Sequence, residues 1–228
     1  MQIGFTLALV GFLGFAILNS TESSFSVLGM ASFKTGTAYS LTVIPLFILM
    51  GQFAIHSRMG FEIYETFYRW IGFLPGGLAM ATTGACAGFA AISGSSVATS
   101  ATMATVALPE MKRFNYGDSL ATGCIAAGGT LGILIPPSTV MIIYGILTEQ
   151  PIGTLFIAGI IPGLLLSGLF ILTIYIMTRY KPSLGPPGPR FTMKEKVFAL
   201  KGTWGVLCLF LLVVGGLYRG WFTPTEAA

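Results

Sequence analysis

From Pro75 to Pro109 the chain runs for roughly 35 residues without one charged side chain. A single transmembrane helix needs about 20 apolar residues, so this run is too long for one simple span. Its middle, GACAGFAAISGSSVATSATMATVALP, is small and hydroxylated rather than leucine-rich. Two short helices meeting at Ile92-Ser93-Gly94-Ser95-Ser96 fit this pattern. They form a re-entrant hairpin that enters and leaves on one side. Irregular backbone at membrane depth is tolerated only where protein or a water-filled cavity receives it. One long span with a polar tail is the alternative.

The rest of the sequence agrees with a membrane setting. Of 228 residues, 54% are hydrophobic and 9% charged, whereas soluble domains carry about 25% charged residues. A cytosolic enzyme and a disordered chain are both excluded. Cys86, Cys124 and Cys208 lie in apolar stretches without metal-like spacing, which argues against a disulfide framework or a zinc site. The net charge of +4 comes from basic residues at segment ends, a membrane-orientation pattern rather than a nucleic-acid one.

An apolar stretch over residues 3–18 reads as a span and not as a signal peptide, because no Lys or Arg precedes it. Residues 19–40 read as a polar loop and 41–55 as a short, tilted span. In residues 60–72, Glu62, Glu65 and Arg69 interleave with Phe61, Ile63, Phe67 and Trp70. That pattern suits a helix in the membrane interface, with a solvated connector as the plainer reading. The block from Leu120 to Leu147 is interrupted by GGTLGILIPPS. Pro136 and Pro137 remove two backbone donors, which splits the block into half-helices over about 119–134 and 139–147. Residues 155–178 make a clean span. Residues 179–201 read as a basic, Pro/Gly-rich loop, and a last span covers about 202–218.

With a hairpin at 75–109, segments 56–74, 110–118 and 179–201 fall on one side. They hold Arg58, Arg69, Lys112, Arg113, Arg179, Lys181, Arg190, Lys194, Lys196 and Lys201, against Lys34 and Arg219 on the other side. The positive-inside rule makes the first side cytoplasmic. A single span at 75–109 would split these clusters between two faces.

A half-helix that ends within the membrane leaves carbonyls unpaired, and one that begins there leaves N–H groups unpaired. The first attracts a cation and the second an anion. The two breaks offer serine hydroxyls and carbonyls, the oxygen donors a hard cation such as Na⁺ prefers, by analogy with Ca²⁺ and Mg²⁺. The expected Na⁺ site is Ser93, Gly94, Ser95 and Ser96 facing Gly132, Pro136, Pro137 and Ser138. Amides near Ser95 and Ser96 are expected to receive a substrate carboxylate. Neither break holds a carboxylate, so no divalent metal is expected. Thr99, Thr102 and Thr105 read as packing hydroxyls. GACAG at 84–88 and GIIPG at 159–163 are weak small-residue contact motifs.

Around these residues the chain resembles the large membrane subunit of the tripartite ATP-independent periplasmic (TRAP) transporters. The likeness rests on AISGSSVATSATMATVALPEMKRFNY and GTLGILIPPSTVMIIYG. IPLFILMGQ at 44–52, LFIAGIIPGLLL at 155–166 and FTPTEAA at 222–228 add to it. The resemblance implies an all-α integral membrane protein of the bacterial or archaeal cytoplasmic (inner) membrane. Its fold would be one half of an inverted-repeat, elevator-type transporter with broken helices and a re-entrant hairpin. It implies secondary uptake of organic acids with Na⁺ as coupling ion and no other cofactor. The partners implied are a periplasmic substrate-binding protein and a small membrane subunit. In that scheme residues 1–74 are scaffold and interfacial arm, 75–178 the transport part, and 179–228 a basic loop with its following span. Family members carry residues before a sequence like MQIGFTLALVGFLGF, making Met1 an internal position. They also continue beyond FTPTEAA into a second half.

Two rival functions remain. Ala91-Ile92-Ser93-Gly94 comes near the nucleophile setting of an intramembrane serine protease, but a serine nucleophile needs a base in reach. His56, the one histidine, sits at a membrane-edge position that suits an interfacial polar residue. A non-transporting scaffold would need neither break.

Overall fold

The computed structural model describes residues 3–227; Met1, Gln2 and Ala228, which closes the FTPTEAA run, lie outside the described residues. All regular structure among the described residues is helical. The chain forms two compact units, Met1–Thr42 and Val43–Ala228.

The first unit pairs α1 (Ile3–Leu18) with α2 (Thr21–Gly36) and ends in a 3-10 turn, Tyr39–Thr42. Phe12 and Phe25 join the two helices edge to face at 4.9 Å. The sixteen residues of α1 rise about 24 Å at about 1.5 Å each, short of the roughly 30 Å hydrocarbon core. α2 corrects the expected loop at 19–40. Its Ser and Thr content favours turns, but Ser20 caps it by accepting the Ser23 N–H. Glu22 in its first turn and Lys34 in its last complement the helix dipole.

The second unit begins with α3 (Val43–His56) and α4 (Met59–Ile71), bent by 59° from one another. Arg58 at the bend has φ +62°. α4 is amphipathic: Gly60, Ile63, Tyr64 and Tyr68 are buried, while Phe61 and Trp70 are exposed. The charge-free run folds as two helices, α5 (Gly77–Ser93) and α6 (Ser96–Arg113). α6 continues through Pro109, so the second arm is one turn longer than the charge-free run. Fifteen of the seventeen residues of α5 are buried, which makes it the axis of the unit. Its Ala, Gly and Thr side chains let α4, α6, α7 and α10 approach closely. Thr82 and Thr83 each donate to the carbonyl one turn back, at 2.8 and 3.1 Å, so no hydroxyl is left unpaired.

The interrupted block folds as α7 (Asp118–Gly129), the single turn α8 (Leu131–Leu134) and α9 (Thr139–Leu147). α10 (Ile152–Tyr180) and α11 (Met193–Arg219) follow. The segments Asp118–Leu147, Ile152–Tyr180 and Met193–Arg219 are long and apolar enough to cross a membrane. α11 starts well before the expected residue 202. Thr192 and Glu195 form a reciprocal capping box, a start signal hidden behind the Pro/Gly-rich run.

The hairpin's two ends meet at one level. The Leu78 N–H, at the start of α5, donates to the Tyr116 hydroxyl just past α6 at 3.1 Å. The segment after α10 ties the same level together. Gly76 N–H donates to Gly185 O at 2.8 Å, Gly117 N–H to Leu184 O at 2.9 Å, and Gly188 N–H to Gly72 O at 2.9 Å. Thr178 at the end of α10 donates to Pro75 O at 3.1 Å. The stretches 72–78, 116–117 and 178–188 therefore share one end, as the charge distribution requires. Burial pushes the Tyr116 phenol up to about 12, so it stays neutral. A separate apolar cluster, Val43, Phe47, Ile142, Phe156 and Val213, includes the opposite end of α10. Phe156 and Thr178 are roughly 33 Å apart at about 1.5 Å per residue.

Candidate functional site

Gly94 and Ser95 alone connect α5 to α6. The reversal needs a left-handed residue, and Gly94 supplies it at φ +58°. A side chain there would also strike the Pro137 carbonyl, 2.6 Å from the position of a Cβ. Ser95 is extended and caps α6, accepting the Ala98 N–H at 3.3 Å. Below the turn, Ser93 Oγ and Thr99 Oγ1 lie 2.9 Å apart. Thr99 donates to Ser95 O at 2.8 Å, so the Ser93 hydroxyl donates to Thr99. The fully buried Thr99 thus closes the tip across both arms.

The proline joint is built in the same way. Ile135 N–H makes the last helical bond of α8, to Leu131 O at 2.8 Å. Pro136 and Pro137 have no N–H, so the carbonyls of Gly132 and Ile133 lose the donors that a continuous helix would bring them. Their peptide bond is cis. Ser138, fully buried, caps α9 by accepting the Met141 N–H at 3.4 Å.

The two breaks are in contact. Thr139 donates to the Gly94 carbonyl twice, from its N–H at 3.2 Å and its hydroxyl at 3.0 Å. Both lone pairs of that oxygen are therefore engaged. A Cβ on Gly132 would stand 2.7 Å from the carbonyl carbon and oxygen of Ser95 and 2.8 Å from the Ser96 nitrogen. All eight expected residues, Ser93 to Ser96, Gly132 and Pro136 to Ser138, thus belong to one locus. Two helix C-termini, of α5 and α8, and two N-termini, of α6 and α9, converge on it. Negative and positive ends of helix dipoles lie side by side. Ser93, Gly94, Gly132 and Pro136 to Ser138 are buried, and Ser95 and Ser96 partly open.

Other contributors are not apparent from local sequence. Gly51 of α3 packs on the tip, where a Cβ would come 3.1 Å from the Ser93 carbonyl. Gly159 of α10 packs on the joint, with the Leu134 carbonyl 2.6 Å from the corresponding position. GIIPG was a pointer to Gly159, although too common a pattern to be read alone. Thr139 carried no signal beyond following Ser138. A Cβ on Gly60 would stand 2.8 Å from the Thr102 methyl, and Thr105 donates to Thr102 O at 2.8 Å; both stand away from the site. Among the described residues, no base is hydrogen-bonded to Ser93 Oγ. Its hydroxyl is held by Thr99, and His56 Nδ1 lies 2.8 Å from the Gln52 carbonyl of its own helix.

The family model for the "tripartite ATP-independent periplasmic transporter, DctM component" matches residues 1–228. The C4-dicarboxylate TRAP transporter large permease protein of Pseudomonas aeruginosa is 42% identical over 93% of this chain and 49% of its own length. The sialic acid TRAP transporter large permease protein of Vibrio cholerae is 29% identical over 100% of this chain and 52% of its own. For the 2,3-diketo-L-gulonate TRAP transporter large permease protein of Escherichia coli the figures are 35%, 83% and 44%. The chain spans about half the length of these curated relatives.

Proposed function

The chain belongs to the DctM component family of tripartite ATP-independent periplasmic transporters, and we propose that it forms the first repeat of a permease subunit that takes up organic acids with Na⁺. It is a multi-pass protein of the cytoplasmic membrane and a transport protein, not an enzyme. A periplasmic binding protein delivers the acid, and a small membrane subunit completes the assembly. The relatives handle a dicarboxylate, a sialic acid and a diketogulonate, which share a carboxylate. Residues 75–178 are the moving, elevator-like part against the scaffold of residues 1–74.

The observation that carries this reading is the hairpin tip seated on the proline joint. Carbonyls without helical partners, at Gly132 and Ile133, lie beside serines at a depth where lipid cannot satisfy them. Each such group left alone costs several kcal/mol. A Na⁺ held by Ser93, Ser95, Ser96 and Ser138 with the carbonyls around Gly132, Pro136 and Pro137 satisfies several at once. Gly94, with its oxygen engaged by Thr139, joins the two halves of the site. The N-terminal amides of α6 at Ser95 and Ser96, the partly open side, receive the substrate carboxylate.

The test is uptake by the full-length subunit reconstituted with its partners. Ser95→Ala, Ser96→Ala and Pro137→Ala should raise the sodium concentration for half-maximal uptake with membrane insertion intact. One lost contact of about 1 kcal/mol corresponds to about a fivefold shift. Unchanged sodium dependence in all three variants would overturn the assignment.

A further inference from the structure

A second polar site lies far from the breaks, between the amphipathic helix α4 and the last turn of α6. It is a cavity of about 310 Å³ lined by Tyr64, Glu65, Tyr68, Glu110, Arg113 and Phe114, among others. This is the low end of ligand-pocket volumes. Tyr64 is 1% exposed, and its hydroxyl is the one buried side-chain polar atom among the described residues without a hydrogen-bond partner. An unpaired buried hydroxyl costs about 1–3 kcal/mol, so the structure calls for a partner in this cavity.

The surrounding groups define that partner. Glu65 is committed, with Arg69 Nε at 2.7 Å. Glu110 is held less tightly, since its ion-pair partner Arg113 stands 3.7 Å away, beyond hydrogen-bond reach. Glu110 also exerts the strongest charge effect on the Tyr64 phenol. A carboxylate without a hydrogen-bonded cation and an unpartnered hydroxyl both suit a donor bearing positive charge. The walls are aromatic: Tyr64 and Tyr68 stack at 6.0 Å, and Phe114 lies 6.5 Å from Tyr68. Aromatic faces with a carboxylate make a receptor for an ammonium ion. At the rim, the Arg113 side chain is 77% exposed, and its guanidinium fork suits a phosphate.

The neighbourhood indicates where such a ligand comes from. Lys196 lies over the rings of Trp70 and Phe73, at 5.9 and 5.0 Å, and Arg69 over Phe191 at 5.7 Å. Aromatic and basic residues in one belt mark the headgroup level of a bilayer. We propose that this cavity binds the phosphoethanolamine headgroup of a membrane lipid, its ammonium between Tyr64 and Glu110 and its phosphate on Arg113. A choline headgroup lacks the N–H groups that Tyr64 and Glu110 require. The lipid then bridges α4 and the hairpin.

The experiment is native mass spectrometry of the full permease chain released from nanodiscs of equal phosphatidylethanolamine and phosphatidylcholine. Retention of the ethanolamine lipid should exceed that of the choline lipid threefold or more. Tyr64→Phe, which keeps the ring stack, and Glu110→Gln should each bring the two lipids to parity. Equal retention by the unmodified chain, or a preference unchanged in both variants, would overturn the proposal. So would binding of soluble phosphoethanolamine in place of the lipid.

Discussion

The two ends of the hairpin are held by different means. At the open end, five long-range backbone or hydroxyl bonds tie 72–78 to 178–188 and 116–117 to 184 and 78. At the tip, Thr139 of the facing joint makes two bonds, and both end on one oxygen, that of Gly94. The open end is a structural closure with its polar groups paired. The tip concentrates small residues, serine caps and carbonyls deprived of donors by two prolines. The proposed ion site lies at the lightly tied end, and the firmly tied end keeps the arms in register.

That contrast can be broken in four ways, from the largest expected effect down. Sidedness is all-or-none. In a cysteine-free background, cysteines at Ser183 and Lys112 should react with an impermeant reagent only from the cytoplasmic face. Reaction of either from outside would undo the shared open end. Gly132→Ala comes next, because the atoms nearest its Cβ are backbone atoms of Ser95 and Ser96 and neither can move aside cheaply. Overpacking of this kind costs about 1–3 kcal/mol; thermal unfolding should register it, and uptake should fall more than tenfold. Tyr116→Phe leaves the Leu78 N–H unpaired at the other end. Stability should fall by about 1–3 kcal/mol while the sodium dependence of uptake stays put. A shifted sodium dependence would show the two ends to be coupled. Thr139→Val removes the hydroxyl bond to Gly94 and keeps the N–H bond. The expected loss is about 1 kcal/mol, with a modest rise in the sodium needed for half-maximal uptake.

Both breaks were legible in the sequence because their causes are local. Consecutive prolines remove donors whatever surrounds them, and Ile92-Ser93-Gly94-Ser95-Ser96 stands out in a charge-free run. Their meeting was inferred from the need to satisfy buried backbone, and the structure brings them together. Gly51 and Gly159 were not legible as parts of the site, since a missing Cβ matters only once another backbone arrives. α2 was read as loop because Ser and Thr are ambiguous between turn and cap. The sense of Ser20, Glu22 and Lys34 emerges only when they are seen at the two ends of one sixteen-residue helix. The start of α11 was hidden because Gly185, Pro186 and Pro187 dominate the composition just ahead of its capping box.

The segment 181–190 has a consequence for the order of assembly. It is Pro/Gly-rich, yet its backbone is bonded to residues more than sixty positions earlier, near 72, 76 and 117. During synthesis the hairpin arms are complete at Arg113, and Gly188 follows 75 residues later. At about 5–20 residues per second, the arms wait roughly 4–15 s for the segment that ties their open end. Through that interval the newborn hairpin relies on the Leu78–Tyr116 bond and on the packing of its own small residues.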